Sequence, residues 1–291
     1  MTGYFTEENS VDAVNGRMGD AASPRVQKVM TSLVRHLHDF VKDVELTQQE
    51  WELAIDFLTR TGKTCTDTRQ EYILLSDVLG LSMLVDAIGN RRPAGATENT
   101  VLGPFYVPGA PIRDMGDSIS LDSKGESCLF EGRVIDLDGN PVQGAMIDVW
   151  SDNADGFYDV QQPEIQPKWN NRGRFLTRAD GSYSFVGIKP VSYPIPDDRP
   201  VGELLAALSR HPYRPAHMHF LVTAPGHQKI VTHIFTGGDT YLASDAVFGV
   251  KSSLIADFER GEGLNTWHAS FDFVMVPENQ PGPKAPSAVD G

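Results

Sequence analysis

The residues with the most distinctive chemistry in this sequence are histidines gathered in one short stretch. Five of the eight histidines fall between positions 211 and 233, and two of them form the pair His217-x-His219. Alternate residues of a strand point to the same face, so both imidazoles would lie side by side, with Met218 and Phe220 on the opposite face. Zinc, copper and iron all accept imidazole ligands. The spacing therefore predicts a transition-metal site without identifying the metal.

Two tyrosines bear on which metal this would be. Tyr158 follows a predicted strand that ends at Trp150, and Tyr193 lies in a proline-rich segment that can form neither a helix nor a central strand. Each alone would ordinarily be a half-buried residue with a hydrogen-bonded hydroxyl. Tyrosine has an ordinary pKa of about 10, so only a strong Lewis acid such as Fe(III) would hold it as a phenolate at neutral pH. Two phenolates, two neutral imidazoles and one hydroxide would balance the charge of Fe(III).

The first region that must support these residues reads as helices. Ser23-Pro24 starts a predicted helix, and the capping box Thr47-Gln-Gln-Glu50 starts a second. A third helical stretch spans about 68–89 and is apolar on more than one face. Such a stretch is expected to be buried against a second domain or a partner chain.

The second region, residues 117–276, reads as short strands separated by turns. Asp138-Gly139 and Asp180-Gly181 lie between strand-forming runs and predict hairpins. The fold class expected is α+β, with an N-terminal helical domain followed by an antiparallel β-sandwich. The predicted divisions are an arm at 1–22, the helical domain at 23–92, a connector at 93–116, the sandwich at 117–276 and a tail at 277–291.

Composition excludes several classes of protein. The chain has 291 residues, with 25 Lys and Arg against 39 Asp and Glu, a formal net charge of −14. A chain this acidic is a poor partner for nucleic acid or for an anionic membrane surface. We find no apolar run of membrane-spanning length and no secretory signal pattern. The two cysteines, Cys65 and Cys128, cannot build a disulfide framework or a Cys-rich zinc site. We expect a cytoplasmic protein.

Several segments, in their order and spacing, resemble the intradiol ring-cleaving dioxygenases of the catechol 1,2-dioxygenase group. They are residues 98–106, 132–150, 155–158, 172–174 and 213–219. Residues 238–241 and 244–251, together with His233, are most similar to the hydroxyquinol-cleaving branch. The resemblance implies one non-haem Fe(III) per subunit, with Tyr193 and His219 as axial ligands and Tyr158 and His217 as equatorial ligands.

The resemblance also implies the reaction. Both atoms of O2 would be inserted between the two hydroxylated carbons of a 1,2-dihydroxybenzene. Hydroxyquinol (1,2,4-trihydroxybenzene) would give 3-hydroxy-cis,cis-muconate, the enol form of maleylacetate; the alternative substrate is catechol or a substituted catechol, giving cis,cis-muconate. Arg214 would stabilise negative charge on the ring, and Tyr193 would take up a substrate proton. The implied substrate pocket is lined by Leu74, Asp77, Gly103, Pro104, Phe105, Ile195, Pro196 and Val247.

Three questions stay open at this point. Asp77 either accepts a hydrogen bond from the extra hydroxyl of hydroxyquinol or is a solvent-facing or Arg-paired helix residue. His211, His227 and His233 either border the site or are structural. The protein class has two alternatives, a non-catalytic transthyretin-like β-sandwich module and a zinc hydrolase that uses His217 and His219.

The expected partners follow from the same resemblance. The subunits would form a homodimer through the helical domain, which would hold a phospholipid in an apolar tunnel at the interface. The small aromatic diol and O2 are the substrates, and neither nucleic acid nor a membrane is an expected partner.

Overall fold

The computed structural model describes residues 4–19, 23–66, 69–261, 266–280 and 282–283. The chain divides into two compact units, Met1–Lys63 and Thr64–Gly291. The first unit contains α1 (Ser10–Asn15), α2 (Pro24–Asp43) and nearly all of α3 (Gln48–Thr64). The second contains α4 (Glu71–Val78), α5 (Leu81–Gly89), α6 (Pro200–Ala207) and the strands described below.

Both predicted helix starts are confirmed by their caps. The Ser23 hydroxyl oxygen accepts a hydrogen bond from the Val26 amide at 3.2 Å. At the start of α3 the Thr47 amide donates to the Glu50 carboxylate at 2.9 Å, and the Glu50 amide donates to the Thr47 hydroxyl at 3.3 Å. Each cap satisfies amides that have no partner inside the helix.

Two helical details differ from the prediction. The segment expected to be an arm contains the short helix α1. The stretch expected to be helical over 68–89 is broken into α4 and α5, because Gly80 adopts φ +72°, a left-handed conformation that ends a helix. Among the described residues no single helix is long and apolar enough to cross a membrane; α4 and α5 reach that length and composition only as a pair, bent by 79°.

The second unit is built on two five-stranded sheets that enclose one core. The first sheet contains β1 (Ser127–Asp136), β4 (Ser182–Ile188), β10 (Phe258–Arg260), β11 (Trp267–Ser270) and β12 (Phe273–Met275). The second has the order β3 (Arg172–Leu176), β2 (Met146–Trp150), β7 (His217–Thr223), β8 (Ile230–Thr236) and β9 (Ile255–Ala256). A separate ribbon pairs β5 (Tyr193–Pro194) with β6 (Tyr213–Arg214).

The core lies between the two sheets. Phe130, Phe185 and Phe273 from the first sheet pack with Met218 and Phe220 from the second. Alternate residues of β7, which are Met218, Phe220 and Val222, face this layer and are buried, as packing between two sheets requires. The predicted order of a helical region followed by a β-sandwich is therefore confirmed.

The sandwich is not purely antiparallel, and this part of the prediction was wrong. β1 runs parallel to β11 and β12, and β8 runs parallel to β9. The turn at Asp138-Gly139 leads from β1 to β2, and the turn at Asp180-Gly181 leads from β3 to β4, each pair lying in different sheets. Each turn does reverse the chain locally: Ile135 forms an antiparallel bridge with Pro141, and the Arg178 amide donates to the Ser182 carbonyl oxygen at 3.0 Å. The strands on either side then join different sheets, because a turn sequence does not choose a strand's partner.

Candidate metal centre

The strand β7 holds His217 and His219 as its alternation predicts. Both imidazoles are buried, and Met218, Phe220 and Val222 point into the core on the other face. β7 lies between β2 and β8, so the backbone that carries the pair is hydrogen-bonded on both sides. The rings of His217 and His219 lie 4.9 Å apart between centroids.

Both predicted tyrosines come to this histidine pair. The Tyr158 hydroxyl lies 2.9 Å from His219 Nε2 and 3.5 Å from the Tyr193 hydroxyl. Tyr158 leads into a single helical turn, where its amide donates to the Gln161 side chain at 2.9 Å. Tyr193 is in β5, directly opposite Arg214 in β6. Donor atoms from three separate chain segments therefore meet in one buried cluster.

The distances and protonation states fit a metal held by these residues. Two donors on one ion at about 2.1 Å are separated by about 3 Å at a right angle and by about 4 Å when opposite; the 2.9 Å found here corresponds to the first arrangement, and the 3.5 Å is intermediate. His217 Nδ1 lies 2.7 Å from the Pro215 carbonyl oxygen, which assigns its proton to Nδ1 and leaves the lone pair on Nε2, where it faces Arg214 Nη1 at 3.2 Å. The Nδ1 atom of His219 is buried without a hydrogen-bond partner in the described part of the chain.

Burial sets the charge of this cluster. It lowers the pKa of His217 to about 3, assisted by the charge of Arg214, and lowers the pKa of His219 well below its usual value. Burial also raises the pKa of both Tyr158 and Tyr193. The imidazoles are thus neutral, as a metal requires, while the phenols need a strong Lewis acid to ionise.

His233 is a third histidine in the cluster. It pairs with His219 across β7 and β8, and its ring lies 4.2 Å from that of His219 and 4.9 Å from that of His217. Neither of its buried nitrogens makes a well-formed hydrogen bond with a described residue. The ligand atoms of the three histidines lie within 4.8 Å of one another, a looser set than the tyrosine-containing one. By geometry alone an all-histidine zinc site is the competing arrangement.

The other two histidines left open by the sequence contact different groups. His211 lies 2.9 Å from the Ser244 hydroxyl, and His227 lies 3.0 Å from the Pro225 carbonyl oxygen. Both are outside the three-histidine cluster.

Arg214 lies at the edge of the cluster. Its Nη1 atom is 3.2 Å from His217 Nε2, and its Nε and Nη2 atoms bind the Asp245 carboxylate at 3.2 and 3.3 Å. Burial is the largest single influence and would lower the pKa of Arg214, but the charge of Asp245, the hydrogen bonds to its carboxylate and the neighbouring phenol groups of Tyr193 and Tyr158 together raise the pKa. The guanidinium is therefore a fixed buried cation beside the predicted ligands.

The implied substrate-pocket residues lie in two groups. Phe105 stacks on Tyr158 with 4.6 Å between ring centroids, and Gly103, at φ +79°, lies against the His219 ring. A Cβ at Gly103 would come within 3.0 Å of His219 Cε1, so a side chain there would push the imidazole. Ile195 and Val247 belong to one buried apolar cluster against which Leu74 packs. Pro104 and Pro196 are exposed, each one residue from Gly103 and Ile195 respectively.

Asp77 is half-buried and hydrogen-bonded to Ser82, within reach of the charges of Arg214 and Asp245. Burial raises the pKa of this carboxyl, and Arg214 acts in the opposite direction. A purely solvent-facing position for Asp77 is therefore wrong.

Two further residues near the cluster escaped the sequence reasoning. The Asp239 carboxylate accepts from the Ser192 hydroxyl at 2.5 Å and from the Ala216 amide at 3.1 Å, which ties together the residues that precede Tyr193 and His217. Asp239 lies in the motif at 238–241, which marks the hydroxyquinol-like branch but does not by itself predict these contacts. Asp152 is fully buried with neither carboxylate oxygen hydrogen-bonded within the described ranges, and nothing in the sequence marks it.

Comparison with known proteins agrees with this geometry. Residues 101–277 match the family model described as "Dioxygenase", and residues 23–97 match "Catechol dioxygenase N terminus". A hydroxyquinol 1,2-dioxygenase of Rhizobium sp. (strain MTP-10005) is 54% identical, covering 94% of this chain and 97% of the relative. A 6-chlorohydroxyquinol 1,2-dioxygenase of Cupriavidus pinatubonensis is 50% identical, covering 94% and 98%.

The fold agrees as well. The solved structure of hydroxyquinol 1,2-dioxygenase from Pseudomonas putida DLL-E4 superposes with a TM-score of 0.87 at 48% identity, covering 94% of this chain and 97% of that chain. The family matches cover both the helical region and the sandwich, and they set aside the non-catalytic module and the zinc hydrolase. The chain belongs to the intradiol ring-cleavage dioxygenases.

Proposed function

We propose that this enzyme cleaves hydroxyquinol between its two adjacent hydroxylated carbons, giving 3-hydroxy-cis,cis-muconate, the enol form of maleylacetate. The observation that carries the proposal is the meeting of two phenols and two neutral imidazoles in one buried cluster, in a chain whose relatives at 54% and 50% identity are named for hydroxyquinol and 6-chlorohydroxyquinol. Catechol or a substituted catechol, giving cis,cis-muconate, is the second candidate.

The family implies a non-haem iron, and we propose Tyr158, Tyr193, His217 and His219 as the residues that hold Fe(III), one per subunit. The proposal is supported by the 2.9 and 3.5 Å separations of the donor atoms and by the hydrogen bond that assigns the His217 proton to Nδ1, so that Nε2 carries the lone pair. When bound, Fe(III) would supply the Lewis acidity that activates the diol ring toward O2. His233 would remain beside the ligands.

The remaining work falls to the chain's own residues. Tyr193 lies on the short ribbon formed by β5 and β6, and its phenolate oxygen, formed when Fe(III) is held there, would accept a proton from one substrate hydroxyl. Arg214 would stabilise the negative charge that develops on the ring, as a fixed cation in a site from which water is excluded. Phe105, Ile195 and Val247 would supply apolar surface against the aromatic ring.

Asp77 is the residue we propose to select hydroxyquinol over catechol. Its half-buried carboxyl is held by Ser82 and lies within the electrostatic range of Arg214. The third hydroxyl of hydroxyquinol would donate to this carboxyl, and a hydrogen bond to a charged group contributes about 1.5–3 kcal/mol. Leu74, Gly103, Pro104 and Pro196 would complete the pocket.

Oxygen uptake with hydroxyquinol and catechol, measured side by side, tests the substrate. We expect the wild-type enzyme to have the higher kcat/KM for hydroxyquinol. Asp77→Ala should lower that value about 10-fold, with a smaller loss on catechol, because only hydroxyquinol carries the third hydroxyl. Equal losses on both substrates would remove Asp77 as the selectivity residue. A wild-type preference for catechol would favour the second candidate, and no uptake with either diol would refute the proposed function.

We also propose a homodimer formed through the helical region. Large apolar side chains along α2 are exposed, including Met30, Leu33, Leu37 and Phe40. An apolar stripe of this extent ordinarily marks an interface. A phospholipid held between the two helical regions and a cytoplasmic location are the finer parts of this proposal.

A further inference from the structure

The Asp245 carboxylate binds one edge of the Arg214 guanidinium through two hydrogen bonds. Oδ1 accepts from Nε at 3.2 Å and Oδ2 accepts from Nη2 at 3.3 Å. The remaining nitrogen, Nη1, then lies 3.2 Å from His217 Nε2. Because a guanidinium is planar and rigid, holding two of its nitrogens fixes the direction of the third.

The carboxylate is itself held rigidly. Its oxygens accept from the Val247 amide at 3.3 Å and from the Gly249 amide at 2.8 Å, so residues 245–249 wrap around it. Phe248 adopts φ +59°, a conformation that non-glycine residues take only when the surroundings enforce it. The Arg214 and Asp245 side chains are only 5% and 2% exposed, so water cannot substitute for either partner.

Gly249 leaves the space that this pair needs. A Cβ at that position would lie 2.8 Å from Arg214 Nη2 and 3.1 Å from Asp245 Oδ2. A side chain would therefore displace the pair, so the backbone of the 245–249 segment is shaped around the guanidinium.

We propose that Asp245 is a positioning residue that holds Arg214 Nη1 at the edge of the cluster, beside His217 Nε2. The inference rests on the proposed function, in which Arg214 stabilises charge on the ring. Without Asp245 the buried cation would lose its bidentate partner and would turn toward another acidic neighbour such as Asp77, whose carboxyl lies within its electrostatic range. The guanidinium would then move away from the reacting ring and pair with Asp77, the proposed selectivity residue.

The test compares Asp245→Asn with Glu71→Gln in the iron-loaded full chain. Glu71 is an equally buried carboxylate that pairs with Arg69 at 3.0 Å and accepts from the Val201 amide at 3.2 Å, away from the cluster. We expect Asp245→Asn to keep its iron and its visible absorption band, and to lose about 10- to 100-fold in kcat with a much smaller change in KM. Glu71→Gln should retain the wild-type kcat per iron. A wild-type kcat in Asp245→Asn overturns the inference, as does loss of the absorption band.

A double-mutant cycle separates positioning from general structural damage. In Arg214→Ala, adding Asp245→Asn should cause no further loss of rate, because Asp245 acts only through Arg214. Multiplicative losses would contradict the proposal.

A measurement that needs no activity isolates this inference from the proposed function. By proton–nitrogen NMR, the Arg214 Nε–H should exchange slowly with solvent in the wild type and in Glu71→Gln, and rapidly in Asp245→Asn. Slow exchange in Asp245→Asn refutes the positioning role even if the enzyme is active. A wild-type enzyme inactive on both diols refutes the proposed function while the exchange result still stands.

Discussion

His217 and His219 are neutral chiefly because they are buried, with the charge of Arg214 as a weaker cause. Burial acts in the opposite direction on the neighbouring phenols, since it raises the pKa of Tyr158 and Tyr193 and keeps them protonated. One physical effect therefore prepares the imidazoles to bind a metal and makes phenolate formation depend on that metal.

Replacing one phenol should reveal this dependence. In iron-loaded Tyr158→Phe we expect part of the tyrosinate-to-iron absorption to disappear and activity to fall more than about 100-fold, since even partners of metal ligands are worth 10- to 100-fold. Visible spectroscopy with iron analysis measures both. Tyr183→Phe is the matched control, because Tyr183 is also fully buried but donates to the Phe271 carbonyl oxygen at 2.7 Å, in the first sheet. An undiminished band in Tyr158→Phe would remove Tyr158 from the ligand set.

The buried Asp152 carboxyl should lower the free energy of unfolding of the iron-free protein in a pH-dependent way. Burial raises its pKa well above the unfolded value of 3.8, so the folded state prefers the protonated form. Its contribution to stability is therefore favourable at low pH and is lost as the pH rises above about 4. Asp152→Asn should raise the free energy of unfolding at pH 7 by about 1–3 kcal/mol, and this gain should vanish near pH 4.

Thermal unfolding at the two pH values measures the effect. Asp180→Asn is a control of opposite sign, because the Ser182 hydroxyl and amide lower the pKa of the exposed Asp180 carboxyl, and its loss should destabilise the protein at pH 7. A lower unfolding temperature for Asp152→Asn at pH 7 would show that the carboxylate is stabilised in the folded state.

At the scale of elements, the proposed metal-binding cluster depends on segments that are held together by contacts outside their own strands. β7 supplies two histidines, while the ribbon of β5 and β6 supplies Tyr193 and Arg214. Asp239 links the two, because its carboxylate binds both Ser192 and the Ala216 amide. Residues 237–251 thus hold both β7 and the ribbon of β5 and β6 in place, through Asp239 and Asp245.

Removing the Asp239 carboxylate should loosen Tyr193 relative to His217. We expect Asp239→Ala to lower iron affinity and activity about 10-fold or more, as losses of partners to metal ligands do. Ser192→Ala, which removes one of the two links, should have a smaller effect of the same kind. Iron content after dialysis and oxygen uptake measure these effects, and full iron retention with full activity in Asp239→Ala would exclude the bracing role.

The helix starts and the strand that carries the histidine pair were predictable because both depend only on residues that are close together in the chain. A cap needs only a serine or threonine at a fixed distance from the first helical amides, and β alternation needs only two residues of spacing. The Asp-Gly turns did not predict which strands pair, because the partner of a strand depends on the sheet that it joins.

At the scale of the whole molecule, the net charge of −14 and the exposed apolar helices have separate consequences. A diphenol is mostly uncharged near neutral pH, so an acidic surface does not repel it. The exposed apolar side chains on α2 instead favour self-association, because burying them in an interface removes apolar surface from water and stabilises the dimer.

Charged substitutions on α2 should test the dimer. Leu33 and Leu37 are 46% and 53% exposed, and we expect the double variant Leu33→Glu, Leu37→Glu to be monomeric at micromolar concentration while the wild type is dimeric. Leu208→Glu, at a leucine that is 52% exposed beyond the end of α6, should remain dimeric. Light scattering coupled to size exclusion gives the masses. A wild-type monomer, or a double variant that stays dimeric, would contradict this interface.

The sequence by itself determined the order of helices and strands, the two caps, the side-by-side histidines and the family resemblance, since all of these depend on residues close together in the chain or on ordered motifs. Only the tertiary structure decided which donors meet. The Tyr158 and His219 atoms that lie 2.9 Å apart are separated by 61 residues, and His233 joins them through the register of β7 and β8. Asp239, Asp245 and Asp152 gain their roles or costs from burial and from distant partners, because the energy of a buried charge is set by the groups that surround it in the fold.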